Sequence, residues 1–232
     1  MSQTNEFGQP IGESLDLAHP VSPPTAASLS GRFCQLVSLD TSAHSSDLYE
    51  AYLAADDDAD WTYLPYGPWT SPTDFGAWVA EVQDQPDPMF FAVIDNSSGR
   101  ATGVASYLRV NPNSRSIEVG HIHFARVLQN TPVATEAMYL MMQNAFELGY
   151  RRYEWKCDAL NKPSRAAAIR LGFTWEGEFR QATVYKGRNR DTSWFSILDW
   201  EWPTIKTACE TWLAVENFDS DGQQLTRLQD HR

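Results

Sequence analysis

Three stretches of the chain hold residue types that could do chemistry. In Gln129-Asn130-Thr131-Pro132-Val133-Ala134-Thr135-Glu136-Ala137 a strand gives way to a helix. Free backbone NH groups and the positive helix end there face a potential anion. Asn161-Lys162-Pro163-Ser164 opens the next helix, which closes on Leu171-Gly172-Phe173. Asn161 there can act as a helix cap and Ser164 can satisfy the first turn. The strand Ile117-Glu118-Val119-Gly120-His121-Ile122-His123-Phe124 carries a glycine where a bulge could splay it from its neighbour. On residue type alone Glu118 reads as a strand carboxylate paired with Arg115 or Arg109.

Other residues invite chemistry and have a plainer reading. His121 and His123 alternate along one strand, with no cysteine or third ligand at metal spacing, so no metal is expected. Asp56-Asp57-Asp58 followed by Asp60 lacks the glycine and terminal glutamate of a calcium loop and reads as a solvated run with a steering role for an amine. Trp61, Tyr63, Tyr66 and Trp69 crowd a Pro- and Gly-broken loop. They could enclose a cationic amine by cation–π contacts or simply pack the loop. Cys157 has no histidine or asparagine at a recognisable spacing to activate it as a nucleophile.

The elements that must position these groups follow from pattern and punctuation. The first 30 residues, rich in Pro, Ser, Gly and Ala, show neither helical nor strand periodicity and read as a flexible or loosely docked arm. Strands are expected at 32–39, 89–94, 101–110, 116–124 and 150–157, with a long hairpin, 174–186 and 192–202, turning at 187–191. Helices are expected at 47–54, 71–83 capped by Ser71, 132–147 capped by Thr131, 163–171, and from Pro203 to about 215. Strand, crossover helix and strand in one sheet imply a parallel step, so the sheet is mixed and the fold class α/β (α+β). One domain accounts for the length.

Composition removes whole classes of function. The net charge of −12 argues against a nucleic-acid partner, which needs many Lys and Arg on phosphates. The charge is also uneven: 33–88 holds 11 Asp and Glu and no Lys or Arg, whereas 126–170 holds seven Lys and Arg against four acids. One region could attract a cation and the other an anion, or both could be ordinary solvated surface. No apolar run reaches the length of a membrane span and no secretion signal opens the chain, so no membrane partner is expected. Three scattered cysteines read as reduced thiols and a cytoplasmic location.

The pattern Gln129-x-x-Pro132-x-Ala134, then Asn161-x-x-Ser164, then Gly172-Phe173 resembles the GNAT superfamily of N-acetyltransferases, in particular the ribosomal-protein serine N-acetyltransferase (RimJ/RimL-like) branch. The resemblance covers residues 32–202 and implies a GNAT domain over 31–202, between an arm at 1–30 and a C-terminal helix and tail at 203–232. It implies a mixed sheet of about seven strands, splayed between the fourth and fifth and flanked by helices. It also implies an acyl-CoA cosubstrate, acetyl-CoA or another such as succinyl-CoA. The acyl group would pass to a primary amine, either a small molecule or a protein N-terminus, by direct attack in a ternary complex. A silent acyl-CoA-binding module is the alternative from another class.

Residue by residue, the resemblance implies cofactor contacts from Phe124, from the loop Gln129, Asn130, Thr131, Val133, Ala134 and Thr135, and from Asn161 and Ser164. It gives the Ile122 NH the task of polarising the acyl carbonyl, Glu118 that of general base and Ser164 that of acid for the leaving thiolate. Trp61, Tyr63, Tyr66 and His121 would wall the acceptor. The chain departs from the family at Pro132, which replaces a glycine and removes one NH donor, and at Ala168, where many members carry an acidic tyrosine. It departs again at Thr183, where the ribosomal branch has its base. The exposed strand edges, with Trp194, Phe195 and Trp200 on the last hairpin, offer a surface for a homodimer.

Overall fold

The computed structural model describes residues 3–16, 21–25 and 28–232. A two-strand ribbon, β1 (Gln3–Thr4) and β2 (Pro10–Ile11), stands apart from the main sheet. The main sheet is built from β3 (Leu29–Ser30), β4 (Cys34–Ser38), β5 (Met89–Asp95), β6 (Arg100–Asn111), β7 (Ser116–Phe124), β8 (Arg152–Asp158), β9 (Thr174–Tyr185) and β10 (Arg188–Leu198). The helices are α1 (Thr41–Leu53), α2 (Pro72–Val82), α3 (Pro132–Glu147), α4 (Lys162–Leu171) and α5 (Trp202–Leu213). The eight strands lie in the order β3-β4-β5-β6-β7-β8-β10-β9. All neighbours are antiparallel except β7 and β8, joined through α3. The expected seven strands are present and β3 is the eighth.

Period-two alternation puts a core on each face of the sheet. On β5, Phe91 and Val93 point to the side of α3 and α5, while Phe90 and Ala92 point to the side of α1 and α2. Helix α3 lies deep, with Thr135 to Met142 all buried. Its Tyr107 contact is specific: the phenol donates 2.6 Å to the Met141 carbonyl.

Several elements differ from expectation for identifiable reasons. Helix α1 begins at Thr41, not at Asp47, because the Asp40 side chain accepts from the Ala43 NH and caps it. The last hairpin turns on Lys186 and Gly187 alone, at φ 48° and 69°. Two left-handed residues make a tight primed turn, so β10 starts at Arg188 and the basic stretch 188–191 is strand, not loop. Within the first 30 residues three two-residue strands form where the sequence shows no strand pattern, because each is held by its partner: Leu29 by Leu36, Gln3 by Ile11. Arm residue Val21 is buried in the main core, and Tyr150 donates to the Ser22 carbonyl at 3.2 Å. The other arm residues, 1–2, 17–20 and 26–27, lie outside the described residues.

The start of the sheet is fastened to α3 by one buried side chain. The Glu136 carboxylate accepts from the NH groups of Arg32, Phe33 and Cys34 at 2.9, 2.6 and 2.8 Å. Any side chain at Gly31 would collide with that carboxylate.

Candidate active site

The site sits where β7 and β8 part. Their parallel ladder runs from Ser116–Arg152 to Val119–Trp155 and stops. From Gly120 onward β7 keeps β6 on one side and has no strand partner among the described residues on the other. Sheet twist and the bulge in β7 explain the parting: Val104 faces His123 and Ser106 faces Gly120, so two β7 residues oppose Ala105 alone. The bulged residue is His121, at φ 50°, and not the neighbouring glycine. A side chain at Gly120 would instead meet Leu108 at 2.9 Å.

The loop from β7 into α3 offers unbonded amides beside this free edge. The Thr131 hydroxyl caps the helix by accepting from the Ala134 NH at 3.2 Å, the Thr135 NH bonds to the Thr131 carbonyl, and the Gln129 NH bonds to the Ala125 carbonyl. Asn130, Thr131 and Val133 are left with NH groups that have no partner among the described residues. Asn130 adopts φ 60°, which turns the loop back. Of the expected donors in this loop, three are therefore open to an anion and three are used internally. The Gln129 side chain donates 2.9 Å to the Phe124 carbonyl and ties the loop to the free edge.

Across the gap, Asn161 caps α4 by accepting from the Ser164 NH at 3.1 Å, and the Ser164 hydroxyl accepts from the Trp155 indole NH at 3.0 Å. With its lone pair so engaged, the hydroxyl proton remains available to donate. Cys157 beside it is buried, and burial raises its thiol above the ordinary range, against the weaker pull of Ser164 and Arg190. A thiol held neutral is no nucleophile.

Glu118 does not stand as a free base. It is buried at 2% exposure, and both oxygens are taken. Arg109 grips it with two bonds of 2.7 Å and Lys156 adds a third contact at 2.7 Å. Lys156 also meets Glu154, which pairs with Arg152, which pairs with Glu176. Three carboxylates and three cations balance in one network, and accepting a proton from an ammonium would require Glu118 to give up a partner. In this structure Glu118 is a member of that network, paired with Arg109 as its residue type suggested.

The aromatic loop packs over the other side of β7. Tyr66 stacks on His121, with ring centroids 5.6 Å apart and planes 8° apart, and its hydroxyl lies 3.2 Å from the His121 Nδ1. Trp61 and Tyr52 enclose His123 at 3.7 and 4.1 Å, and Tyr52 donates to the His123 carbonyl at 3.0 Å. Two hydrogen bonds tie the loop to the site's other walls. Tyr63 donates to the Leu160 carbonyl at 3.2 Å, and Lys186 on the hairpin tip donates to the Trp61 carbonyl at 2.8 Å. Trp61, Tyr63, Tyr66 and His121 thus do come together, although Trp61 is packing and Tyr63 is a strap. The neighbouring acids are not a free solvated run: Asp57 and Asp60 both pair with Arg126, at 2.8 and 2.6 Å.

Both histidines stay neutral. Burial, then the charges of Arg109 and Arg190, lowers His121 to about 4, and burial lowers His123 to about 3. Neutral imidazole keeps a lone pair free to accept a proton. Sequence reasoning offered Arg109 as a partner of Glu118, and it missed Lys156 as the other half of the clamp and Arg190, which stands beside Tyr185, whose phenol donates 2.8 Å to Asp158. The run of Arg and Lys at 186–190 was the available signal, obscured by reading the segment as a turn. Among the described residues no group of three His, Cys, Asp or Glu could hold a metal ion, and no helix is long and apolar enough to cross a membrane.

A splayed parallel pair beside a helix start with open amides is an arrangement suited to an anionic, amide-bearing cosubstrate, and comparison with known proteins gives the family. The family model described as an acetyltransferase (GNAT) domain matches residues 37–174. A GCN5-related N-acetyltransferase from Brucella melitensis is 44% identical, with 94% of this chain and 99% of that one covered and a TM-score of 0.91. A probable acetyltransferase of the GNAT family from Chromobacterium violaceum ATCC 12472 is 39% identical, covers 84% and 98%, and has a TM-score of 0.78. The ribosomal L7/L12 alpha-N-protein acetyltransferase RimL shares the fold at 20% identity, with 78% and 98% covered and a TM-score of 0.63. A search of curated proteins finds no match. The chain belongs to the GNAT family of N-acetyltransferases, whose members draw their acyl group from acyl-CoA.

Proposed function

We propose that this N-acetyltransferase moves an acetyl group from acetyl-CoA to a primary amine, on a small molecule or a protein N-terminus, by direct attack in a ternary complex. The observation that carries the reading is the free edge of β7 beyond Val119 next to the open amides of Asn130, Thr131 and Val133. These amides and the positive end of α3 suit a pyrophosphate, and the backbone of Phe124 suits the amide-bearing arm behind it. The bound cosubstrate supplies an activated acyl thioester. The Ile122 NH is the donor to the carbonyl oxygen as it gains charge, and Asn161 holds the far side.

The acceptor enters beneath Tyr66. Its nitrogen forms a bond to the acyl carbon, the carbon–sulfur bond breaks, and the Ser164 hydroxyl gives its proton to the departing thiolate. His121 takes the proton from the nitrogen and, being a weak base in its buried place, passes it on to solvent, from which Ser164 regains the proton it gave to the thiolate. Its Nδ1 is fixed by Tyr66 at 3.2 Å and its neutral state leaves a lone pair free. Glu118 holds Arg109 and Lys156 in place behind it. The GNAT domain spans 31–202 in this reading, with the arm at 1–30 and the tail at 203–232 as additions, and the setting is cytoplasmic.

Calorimetry with acetyl-CoA, and thiol release with a panel of amines and peptides, test the proposal. Coenzyme A binding with NAD and ATP ineffective, and product from at least one amine, is the expected result. Absence of CoA binding at millimolar concentration overturns the reading. Binding without transfer to any amine would identify a silent CoA-binding module instead.

A further inference from the structure

Around the site most arginines are paired with carboxylates, and Arg190 is the one whose buried NH has no partner among the described residues. Arg109 and Lys156 are spent on Glu118, Arg126 on Asp57 and Asp60, and Arg165 lies 3.7 Å from Glu178. The two acids closest to Arg190 in the hairpin and on β8 are also engaged. Asp191 accepts from the Gln181 NH and the Asn189 amide, and Asp158 accepts from the Tyr185 phenol and the Leu160 NH. Arg190 itself makes no ion pair among the described residues, and its Nε is buried without a hydrogen-bond partner.

The position of this guanidinium is informative. It projects from β10 with its carbon 5.8 Å from the centre of the Tyr185 ring. The same hairpin reaches β8 through the Tyr185 phenol on Asp158 and the aromatic loop through Lys186 on the Trp61 carbonyl. Arg190 therefore overlooks the gap from the hairpin side. Guanidinium remains charged at any working pH, and a half-buried one with an unpaired NH is held at a cost in solvation that a bidentate anion relieves. No carboxylate among the described residues supplies that anion.

Resting on the acyl-transfer reading above, we infer that Arg190 recognises a carboxylate carried by one of the two reactants next to the point of transfer. Two sources share this chemistry. The carboxylate belongs either to the amine, as in an amino acid or a peptide with an acidic residue near its N-terminus, or to the tail of a dicarboxylic acyl donor. The acidic composition of 33–88 had suggested the opposite, a site selecting cations. Asp57 and Asp60 pair with Arg126, and Asp47 and Glu50 with Arg100, so two guanidinium charges offset part of that attraction.

The test compares wild type, Arg190→Gln and Arg190→Lys. In one arm, free amino acids are set against their α-carboxamides, and acidic against neutral peptides, with acetyl-CoA as donor and thiol release as readout. In the other, succinyl-CoA and acetyl-CoA are titrated by calorimetry. We expect one carboxylate-bearing series to be preferred by about 10- to 100-fold, the span of a charge-assisted hydrogen bond. The preference should vanish in Arg190→Gln and return in part in Arg190→Lys, while affinity for coenzyme A itself stays unchanged. Preference in the amine arm alone assigns the carboxylate to the acceptor, and in the donor arm alone to the acyl tail. Equal treatment of both series by wild type, or a preference that survives Arg190→Gln, overturns the inference while leaving acyl transfer standing. If no amine reacts, the proposed reaction fails separately, and equal affinities for the two donors then overturn the Arg190 inference too.

Discussion

On the cofactor side of β7 the chain leaves polar backbone open; on the acceptor side it fills the space with rings. Asn130, Thr131 and Val133 present NH groups that no described residue satisfies, and the strand edge beyond Val119 pairs with no described strand on that side. Opposite, Tyr66, Trp69, Trp78 and Phe75 pack in a continuous run of ring contacts around His121 and His123. The first side reads chemistry common to every acyl-CoA, through backbone that any residue supplies. The second depends on side chains, so it is where one member of the family can differ from another.

Glu118 lies between the two sides, and its replacement is the strongest way to break the comparison. Glu118→Gln leaves Lys156, 10% exposed, facing a neutral amide and only Glu154 for charge. Breaking a buried ion pair by removing one member costs roughly 3–5 kcal/mol, so the urea midpoint should fall sharply. A general base would behave otherwise: turnover down by roughly 10² to 10⁴ with stability little changed. Unaltered stability together with a large loss of turnover that shrinks at high pH would return Glu118 to the mechanism.

A smaller effect separates the two sides directly. Val133→Asp sets a like charge against the pyrophosphate at an open amide and should weaken CoA binding by roughly tenfold in calorimetry, with acceptor KM little changed. Gly67→Ala should do the reverse. Gly67 sits at φ 64°, and a Cβ there comes within 2.5 Å of the Trp61 ring. Strain of about 1–2 kcal/mol at a left-handed residue would shift the aromatic loop, raise acceptor KM several-fold and spare CoA affinity. Equal effects of both variants on both ligands would mean that the two halves are not separable.

The same division explains what the sequence made legible. Thr131-Pro132, Ser71-Pro72 and Asn161 announce helix starts through local capping, and the structure has helices at all three. The parallel step of β7 and β8 follows from a helix between two strands, again a local inference. Of the Glu118 network only the pairing with Arg109 was legible, because Lys156 and Glu154 become neighbours of Glu118 only through sheet register. Arg190 was hidden by a turn two residues long where five were expected. The arm's strands escaped because two-residue strands have no period to read, and their hydrogen bonds depend on partners such as Leu36.

The smallest expected effect concerns the histidines, whose burial under the aromatic wall ties stability to pH. His123 is 5% exposed, its Nδ1 has no partner, and burial lowers it to about 3 from an unfolded value near 6.5. A group whose folded value is depressed contributes full stability above its unfolded value and loses it as pH falls toward the folded one. Protons then bind the unfolded chain first, and stability declines from about pH 6.5 downward. Carboxylates such as Glu154 and Glu176, also lowered in the fold, add to the decline at more acidic pH, so the histidine's share is read as a difference between proteins. His123→Phe keeps a ring between Tyr52 and Trp61 and removes the titration. Between pH 7 and 5.5 the wild type should lose about 1 kcal/mol more than His123→Phe in urea denaturation, the free energy of roughly one unit of linked protonation. Parallel curves would show that His123 titrates alike in both states, and that the wall admits water to a ring it is taken to seal.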